Sequence, residues 1–310
     1  KAKQMPISNE EVALFKENLP FKLTNAQERT IKEISDDISL TKPMRRLVQG
    51  DVGSGKTVVA AVSMYISAKN NTQSVLLCPT EVLAEQHFKN FSAWFKNSNI
   101  KIELLTGKMP VSKRRGIYQD LEDGEIDILI GTHAVFQDKV KMKNLGLVVV
   151  DEQQRFGVKQ RFDLVKKSSD QIMPHQLFMT ATPIPRTLAM TIFADLETSK
   201  IDELPPGRKP VETLVYSDKK KDEIVKRLET VCKSGNQVFW LCTMIEESEN
   251  LDVQAADEAK EWIKENTNGL NIGLVHSKLS KDQRDKAIEN FRSGKTDVLV
   301  CTTVIEVGMD

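Results

Sequence analysis

Residues 50–57, GDVGSGKT, set two glycines five positions apart and follow the second with Lys-Thr. The spacing G-x-x-x-x-G-K-[ST] suits a backbone that wraps a phosphate. The N–H groups of Gly50, Asp51, Val52, Gly53, Ser54 and Gly55 are then the candidates to turn inward. Lys56 brings positive charge to β and γ phosphates, and the Thr57 hydroxyl is a ligand for Mg2+. A glycine-rich turn with a chance Lys-Thr is the plain alternative. Here, however, the motif follows the strand-like RLVQG and opens the helical pattern TVVAAVSMYISAK, the context its mechanism requires. Binding of a nucleoside triphosphate is the expectation.

A second stretch, LVVVDEQQRFGV (147–158), runs four apolar residues into Asp151 and Glu152. Acidic residues often close a strand as a solvated turn. Beside a complete phosphate loop they read as its partner, Asp151 holding magnesium and Glu152 polarising the attacking water. Adjacent carboxylates make sense where a divalent cation compensates them. MTATPIPRT (179–187) puts Thr180 and Thr182 at another strand end. They could relay the state of the γ-phosphate, or belong to a loop stiffened by Pro183 and Pro185; spacing alone does not choose. Pro79 and Thr80 in PTEVLAEQH, and Gly131 and Thr132 in GTHA, could offer hydroxyls and N–H groups to a phosphodiester backbone. From composition, turn chemistry and helix capping explain them better. CTTVIEVGMD supplies the analogous Thr302 and Thr303. The four histidines, His87, His133, His175 and His276, lack metal-ligand spacing and read as structural or surface residues. VSKRRG and DKKKDE read as solvated helix faces.

These groups need elements to position them. Strand-like runs at 46–50, 74–80, 102–107, 126–132, 145–152 and 175–182 alternate with helical patterns such as EVLAEQHFKNFSAWF, the signature of an α/β fold with a parallel sheet. Ser8 followed by Glu11 predicts a capping box. DELPPGRKP (202–210) breaks the pattern with three prolines and a glycine, and marks a domain boundary. Beyond it, runs at 213–217, 237–242, 272–277 and 296–303 predict a second doubly wound domain. The chain of 310 residues suits two such domains, and its end directly after a strand suggests a fragment. Lys plus Arg and Asp plus Glu each number 44, so a nucleic-acid surface would be a local patch and not a global basic field. Four dispersed cysteines without a CxxC pair argue against zinc or disulfides and fit a reducing cytoplasm. No run of about 18 apolar residues spans a membrane.

Taken together, LPFKLTNAQ (19–27), LVQGDVGSGKT, PTEVLAEQH, GTHA, DEQQRFGV, MTATPIPRT, IDELPPGR, CTMIEESE (242–249) and TTVIEVGMD resemble the motor of superfamily-two helicases, and most of all the RecG family of ATP-dependent DNA helicases. The resemblance implies two RecA-like parallel-sheet domains with ATP and Mg2+ between them, the second truncated. The expected organisation is an N-terminal helix and linker (1–25), a first domain (26–200), a linker (201–212) and a second domain (213–310). It implies that Gln27 reads adenine, that Gly308 and Asp310 reach the nucleotide, and that Thr180 and Thr182 couple hydrolysis to movement. It turns Pro79, Thr80, Gly131, Thr132, Thr302 and Thr303 into DNA-phosphate contacts, against the composition-based preference. Branched DNA is the implied partner, with single-stranded DNA-binding protein a partner of the full-length parent.

Three departures stand out. The family spells its acidic box D-E-x-H, whereas position 154 is Gln154, which keeps a donor and an acceptor but cannot charge near neutral pH. The arginine-bearing motif expected beyond Asp310 and the amino-terminal wedge domain are outside the chain, so poor turnover by the chain alone is expected. The transcription-repair coupling factor shares this motor, a protein-export engine has a similar one, and a nucleotide switch without turnover is a third class. DNA-stimulated hydrolysis separates the first reading from the last two.

Overall fold

Six of the seven strands of the first sheet come from the apolar runs marked above. The computed structural model describes residues 1–152, 172–182, 196–203, 211–242, 249–276 and 278–302. They fall into two units, Lys1–Lys209 and Pro210–Asp310, each described by itself.

In the first unit, β1 (Arg45–Gly50), β2 (Gln73–Leu77), β3 (Ile102–Leu105), β4 (Ile128–Gly131), β5 (Leu145–Val150), β6 (His175–Thr180) and β7 (Glu197–Ile201) form one sheet in the order β3-β4-β2-β5-β6-β1-β7. Every pairing is parallel. All carboxyl ends therefore open on one edge, where ligands of such sheets bind. β2, β4, β5 and β6 are buried throughout, as strands covered on both faces must be.

Helix α1 (Asn9–Glu17) opens with the expected Ser8–Glu11 capping box. Its Phe15 stacks on Tyr65 at 4.6 Å and lies 4.8 Å from Phe95. Met5, Val12, Phe15 and Leu19, from the stretch expected as a helix and linker (1–25), lie in the core of the first unit. Helix α2 (Asn25–Ile38) is capped by Thr24, and α3 (Lys56–Lys69) follows β1. The spacing in α3 fits an amphipathic helix, yet Val58 through Ser67 are all buried. Both α1 and α2 pack on it from outside, so it has no wet face. Its serines spend their hydroxyls internally, Ser63 on Val59 O at 2.8 Å and Ser67 on Thr72 O at 3.1 Å.

Strand β7 has no apolar signature: only Ser199 and Ile201 of ETSKI are buried. Polar bonds hold it instead. The buried Arg46 donates to Ser199 Oγ (2.8 Å) and Asp37 Oδ2 (2.8 Å) and pairs with Glu33, tying β1, β7 and α2 together. Helices α4 (Glu81–Trp94) and α5 (Val111–Asp123) complete the described helices of this unit.

In the second unit, α6 (Lys221–Lys233), α7 (Glu249–Asn266) and α8 (Lys281–Arg292) accompany β8 (Val238–Leu241), β9 (Ile272–Val275) and β10 (Val298–Cys301). The three strands form a parallel sheet in the order β8-β10-β9. Its core gathers Leu228, Ala256, Ile263, Val298 and Val300. The strand expected at 213–217 does not form: these residues are irregular and exposed, Val215 by 95%. A β-rich run becomes a strand only where a neighbour takes its backbone bonds, and none pairs with it among the described residues. The unit boundary lies in the Pro/Gly stretch, whose residues 204–210 are outside the described ones. No disulfide joins any of the four cysteines, and no described helix is long and apolar enough to cross a membrane.

Candidate nucleotide site

The phosphate loop leaves β1 at Gly50 and ends where α3 begins. Gly53 (φ +72°) and Gly55 (φ +87°) occupy left-handed backbone. A Cβ on Gly50 would stand 2.4 Å from Ser54 Oγ, and one on Gly55 2.1 Å from Gln27 Nε2, so neither site has room for a side chain. Lys56 Nζ donates to Gly50 O (2.8 Å) and Asp51 O (3.0 Å), which holds the ammonium against the loop. The amino end of α3 adds its positive dipole end, a favourable place for an anion. Asp51, Val52 and Gly53 are exposed, Gly55, Lys56 and Thr57 half-buried and Ser54 buried.

Gln27 has a second task that its sequence context did not reveal. It closes a capping box with Thr24, Oε1 accepting from Thr24 N at 2.8 Å, and its Nε2 donates to Ser54 O at 2.8 Å. At 4% exposure the amide is a strut under the phosphate loop. One N–H and one lone pair remain on it, the pair an adenine edge would need.

Strand β5 delivers the acidic pair. Asp151 N donates to Leu77 O at 2.9 Å, extending the β2–β5 ladder by one residue. Asp151 Oδ1 accepts from Glu152 N at 3.0 Å, and Oδ2 lies 2.9 Å from His87 Nε2. Glu152 sits in left-handed backbone (φ +49°), unusual for a residue with a Cβ and of the kind found at functional turns. Only β6 separates β1 from β5, so their ends stand about 10 Å apart, two strand spacings. Thr180 closes β6 between them. Its Oγ1 accepts from Thr182 N (3.1 Å), and Gln49 Nε2 of β1 donates to Thr182 O (3.3 Å). The coupling candidates are thus bonded to the strand that carries the phosphate loop.

The donor chemistry fits magnesium. Asp151 keeps a lone pair on each oxygen after its two protein bonds, and the Thr57 hydroxyl is half-buried. Mg2+ takes one or two such hard oxygens and completes its shell with phosphates and water. Among the described residues no cluster of three or more His, Cys, Asp and Glu could cage a metal unaided. Nearby, burial and the charge of Asp151 push the Cys78 thiol well above its ordinary value, which keeps it inert.

The DNA-contact candidates are placed differently. Thr80 is half-buried and caps α4, Oγ1 accepting from Leu83 N at 3.3 Å, with half-buried Pro79 before it. Gly131 and Thr132 are buried; a Cβ on Gly131 would lie 2.5 Å from Leu105 O and 2.6 Å from a Val135 methyl. Thr302 is buried as well, its N–H on Val275 O at 3.2 Å. Gln154, Thr303, Gly308 and Asp310 lie outside the described residues. Sequence reasoning left His87 among the structural histidines, because nothing in a helix ten residues past the end of a strand announces a partner 64 positions away.

The profile of the DEAD/DEAH box helicases matches residues 24–191, which include the phosphate loop and the acidic pair. The chain belongs to the DEAD/DEAH box helicase family. The helicase conserved C-terminal domain matches residues 219–310. This helicase chain is 48% identical over 298 residues to the ATP-dependent DNA helicase RecG of Haemophilus influenzae, covering 96% of this chain and 43% of that protein. Against RecG of Bacillus subtilis identity is 46% over 304 residues, covering 98% and 44%. The chain thus spans less than half the length of these curated relatives. A solved structure of RecG bound to a three-way DNA junction matches with TM-score 0.79 and 38% identity, over 99% of this chain and 40% of that one. Yeast Dbp5 bound to RNA and ADP BeF3 matches at TM-score 0.63 and 18% identity, over 99% and 76%, a likeness of fold alone. The two parallel sheets are those of the RecA-like helicase fold.

Proposed function

We propose that this chain is the motor part of an ATP-dependent DNA helicase that works on branched DNA in recombination and repair. The observation that carries the reading is the phosphate loop and Asp151–Glu152 on one sheet edge, with Thr180 between them. The identity to RecG helicases along nearly the whole chain supports the choice of DNA as substrate.

In this reading the loop N–H groups and Lys56 bind the triphosphate, and Thr57 and Asp151 hold the magnesium that neutralises its charge. Glu152 orients the attacking water, and the remaining valences of Gln27 meet the adenine. Because phosphoryl transfer needs little covalent help, positioning and charge do most of the catalysis. Thr180 and Thr182, bonded through Gln49 to β1, would carry a shift at the phosphates toward the neighbouring strand ends. Pro79, Thr80, Gly131, Thr132, Thr302 and Thr303 are the proposed phosphate contacts of a sequence-blind DNA track. Gln154 for coupling, and Gly308 and Asp310 for the nucleotide, all outside the described residues, belong to the same proposal.

ATP hydrolysis by the full-length parent, measured with no DNA, linear duplex and a forked junction, tests it. The expected result is stimulation by DNA, strongest with the fork. Hydrolysis indifferent to every DNA would overturn the reading. Equal stimulation by linear duplex and fork would replace the branched-DNA helicase with a plain duplex translocase.

A further inference from the structure

Two buried histidines of the first unit are treated in opposite ways. His175 has both ring nitrogens in use: Nδ1 accepts from Met44 N at 3.0 Å, and Nε2 donates to Lys3 O at 2.7 Å. His87, 6% exposed, has its Nε2 on Asp151 Oδ2, while its buried Nδ1 has no partner among the described residues. A carboxylate only accepts, so Nε2 carries the hydrogen and Nδ1 is left as a buried acceptor that no described protein group answers. Such a group costs stability, and an apolar side chain against Phe91, 6.5 Å away, would avoid that cost. Packing therefore gives no reason for an imidazole here, whereas Asp151 does.

We propose that His87 is a positioning residue that sets the rotamer of Asp151 for magnesium, an inference that rests on Asp151 being the metal ligand. The geometry shows how. β2 pairs with β5, and Thr80, three residues past the end of β2, caps α4, so this helix carries His87 to the carboxylate at the end of β5. Asp151 Oδ1 is held by Glu152 N and Oδ2 by His87. With both oxygens held, the carboxylate plane is fixed and its remaining lone pairs keep one direction. Without the ring, Oδ2 is free to swing, and the cation must pay to order it. Groups that orient a metal ligand in this way change metal affinity or activity by about 10–100-fold when removed.

The test uses the full-length parent and its His87→Leu, His87→Met and His87→Gln variants. Glutamine can place an amide N–H near the position of the imidazole Nε2; leucine and methionine cannot donate. Binding of Mn2+ with a non-hydrolysable ATP analogue is followed by electron paramagnetic resonance, and ATPase is titrated with Mg2+ on forked DNA. In whichever donor-less variant keeps its thermal transition, half-saturating metal should rise about 10–100-fold, with kcat recovering at saturating Mg2+, while His87→Gln stays within a few-fold of the parent. Unchanged metal dependence in the donor-less variants overturns the proposal, as does a kcat loss that magnesium does not rescue. Unfolding of both donor-less variants while His87→Gln is stable and metal-deficient also overturns it. A parent that binds Mn2+ yet ignores DNA leaves this inference standing and defeats the helicase reading. A parent that binds no metal with the analogue defeats Asp151 as ligand, and this inference with it.

Discussion

Gly50 and Gly131 end two strands of the same sheet, and each is a glycine because a Cβ would collide. The collisions differ in kind. At Gly50 the nearest atom is the Ser54 hydroxyl, part of the phosphate loop, so the glycine shapes a ligand cradle. At Gly131 they are the Leu105 carbonyl and a Val135 methyl, part of the sheet's own packing. One strand end is built around what binds it, the other around its neighbours. The lesson is that Gly and Thr at carboxyl ends of parallel strands are not by themselves evidence of contact with a phosphate. At β1 a motif of fixed spacing decides; at β4 the packing by itself already requires Gly131, whether or not a phosphate also meets it.

The largest effect should fall on the β1 side. Lys56→Ala removes the ammonium that the loop holds against Gly50 O and Asp51 O. Loss of one preorganised charge at a transferring phosphoryl group should lower kcat/KM for ATP by at least about 100-fold. Lys56 is half-buried beside an exposed loop, so thermal stability should change little. Full turnover in Lys56→Ala would erase the distinction between the two strand ends.

The β4 side should show the reverse signature. Gly131→Ala forces a methyl onto a backbone carbonyl that cannot move without its sheet, at a cost of about 1–3 kcal/mol. Urea unfolding of the variant should show that loss, with nucleotide affinity of the folded fraction unchanged. If stability holds while DNA affinity falls, Gly131 belongs with the ligand-built end and packing is not its reason.

These contrasts show what could be read in advance. The phosphate loop and acidic pair were legible because each is local: one spacing, one strand end. Their separation by β6 alone was not, since strand order depends on crossovers that no single segment encodes. Strand β7 escaped notice because Arg46, Ser199, Glu33 and Asp37 hold it with polar bonds where periodicity looks for apolar residues. The run at 213–217 misled for the converse reason, having strand composition but no neighbour. Gln27 under the loop and His87 beside Asp151 are contacts across 27 and 64 positions, visible only once the helices are placed.

Thr80 lies between the two cases, with a structural task and part of its surface open. Thr80→Ala should cost about 1 kcal/mol through the lost cap of α4. Thr80→Asp keeps a capping oxygen but adds negative charge, so it separates the roles. If Thr80 faces DNA phosphates, Thr80→Asp should keep the melting transition and weaken DNA binding, in titrations at several salt concentrations. Unaltered DNA affinity in that variant would assign Thr80 to the packing side with Gly131.

The smallest effect is expected furthest from the ligand edge, at the amino end of β6. His175 is buried and uses Nδ1 to accept the Met44 N–H, a bond that a proton on that nitrogen would break. Burial holds its pKa below the ordinary 6.5. The sign follows from proton counting. Above pH 6.5 the ring is neutral in both the folded and unfolded chain, and its contribution is flat. As pH falls below 6.5 the unfolded chain takes up a proton that the folded one resists, so stability declines until the folded pKa is passed. One proton sets a slope of at most about 1.4 kcal/mol per pH unit. Melting temperatures of the parent and His175→Gln across this range should diverge in shape, the variant losing part of the acid-side fall, since glutamine has no proton to gain. Both should bind the ATP analogue alike at pH 8, because His175 lies at the opposite edge from the phosphate loop. Parallel melting profiles would mean that His175 titrates as freely folded as unfolded, and the two bonds on its ring would then count for nothing in the balance.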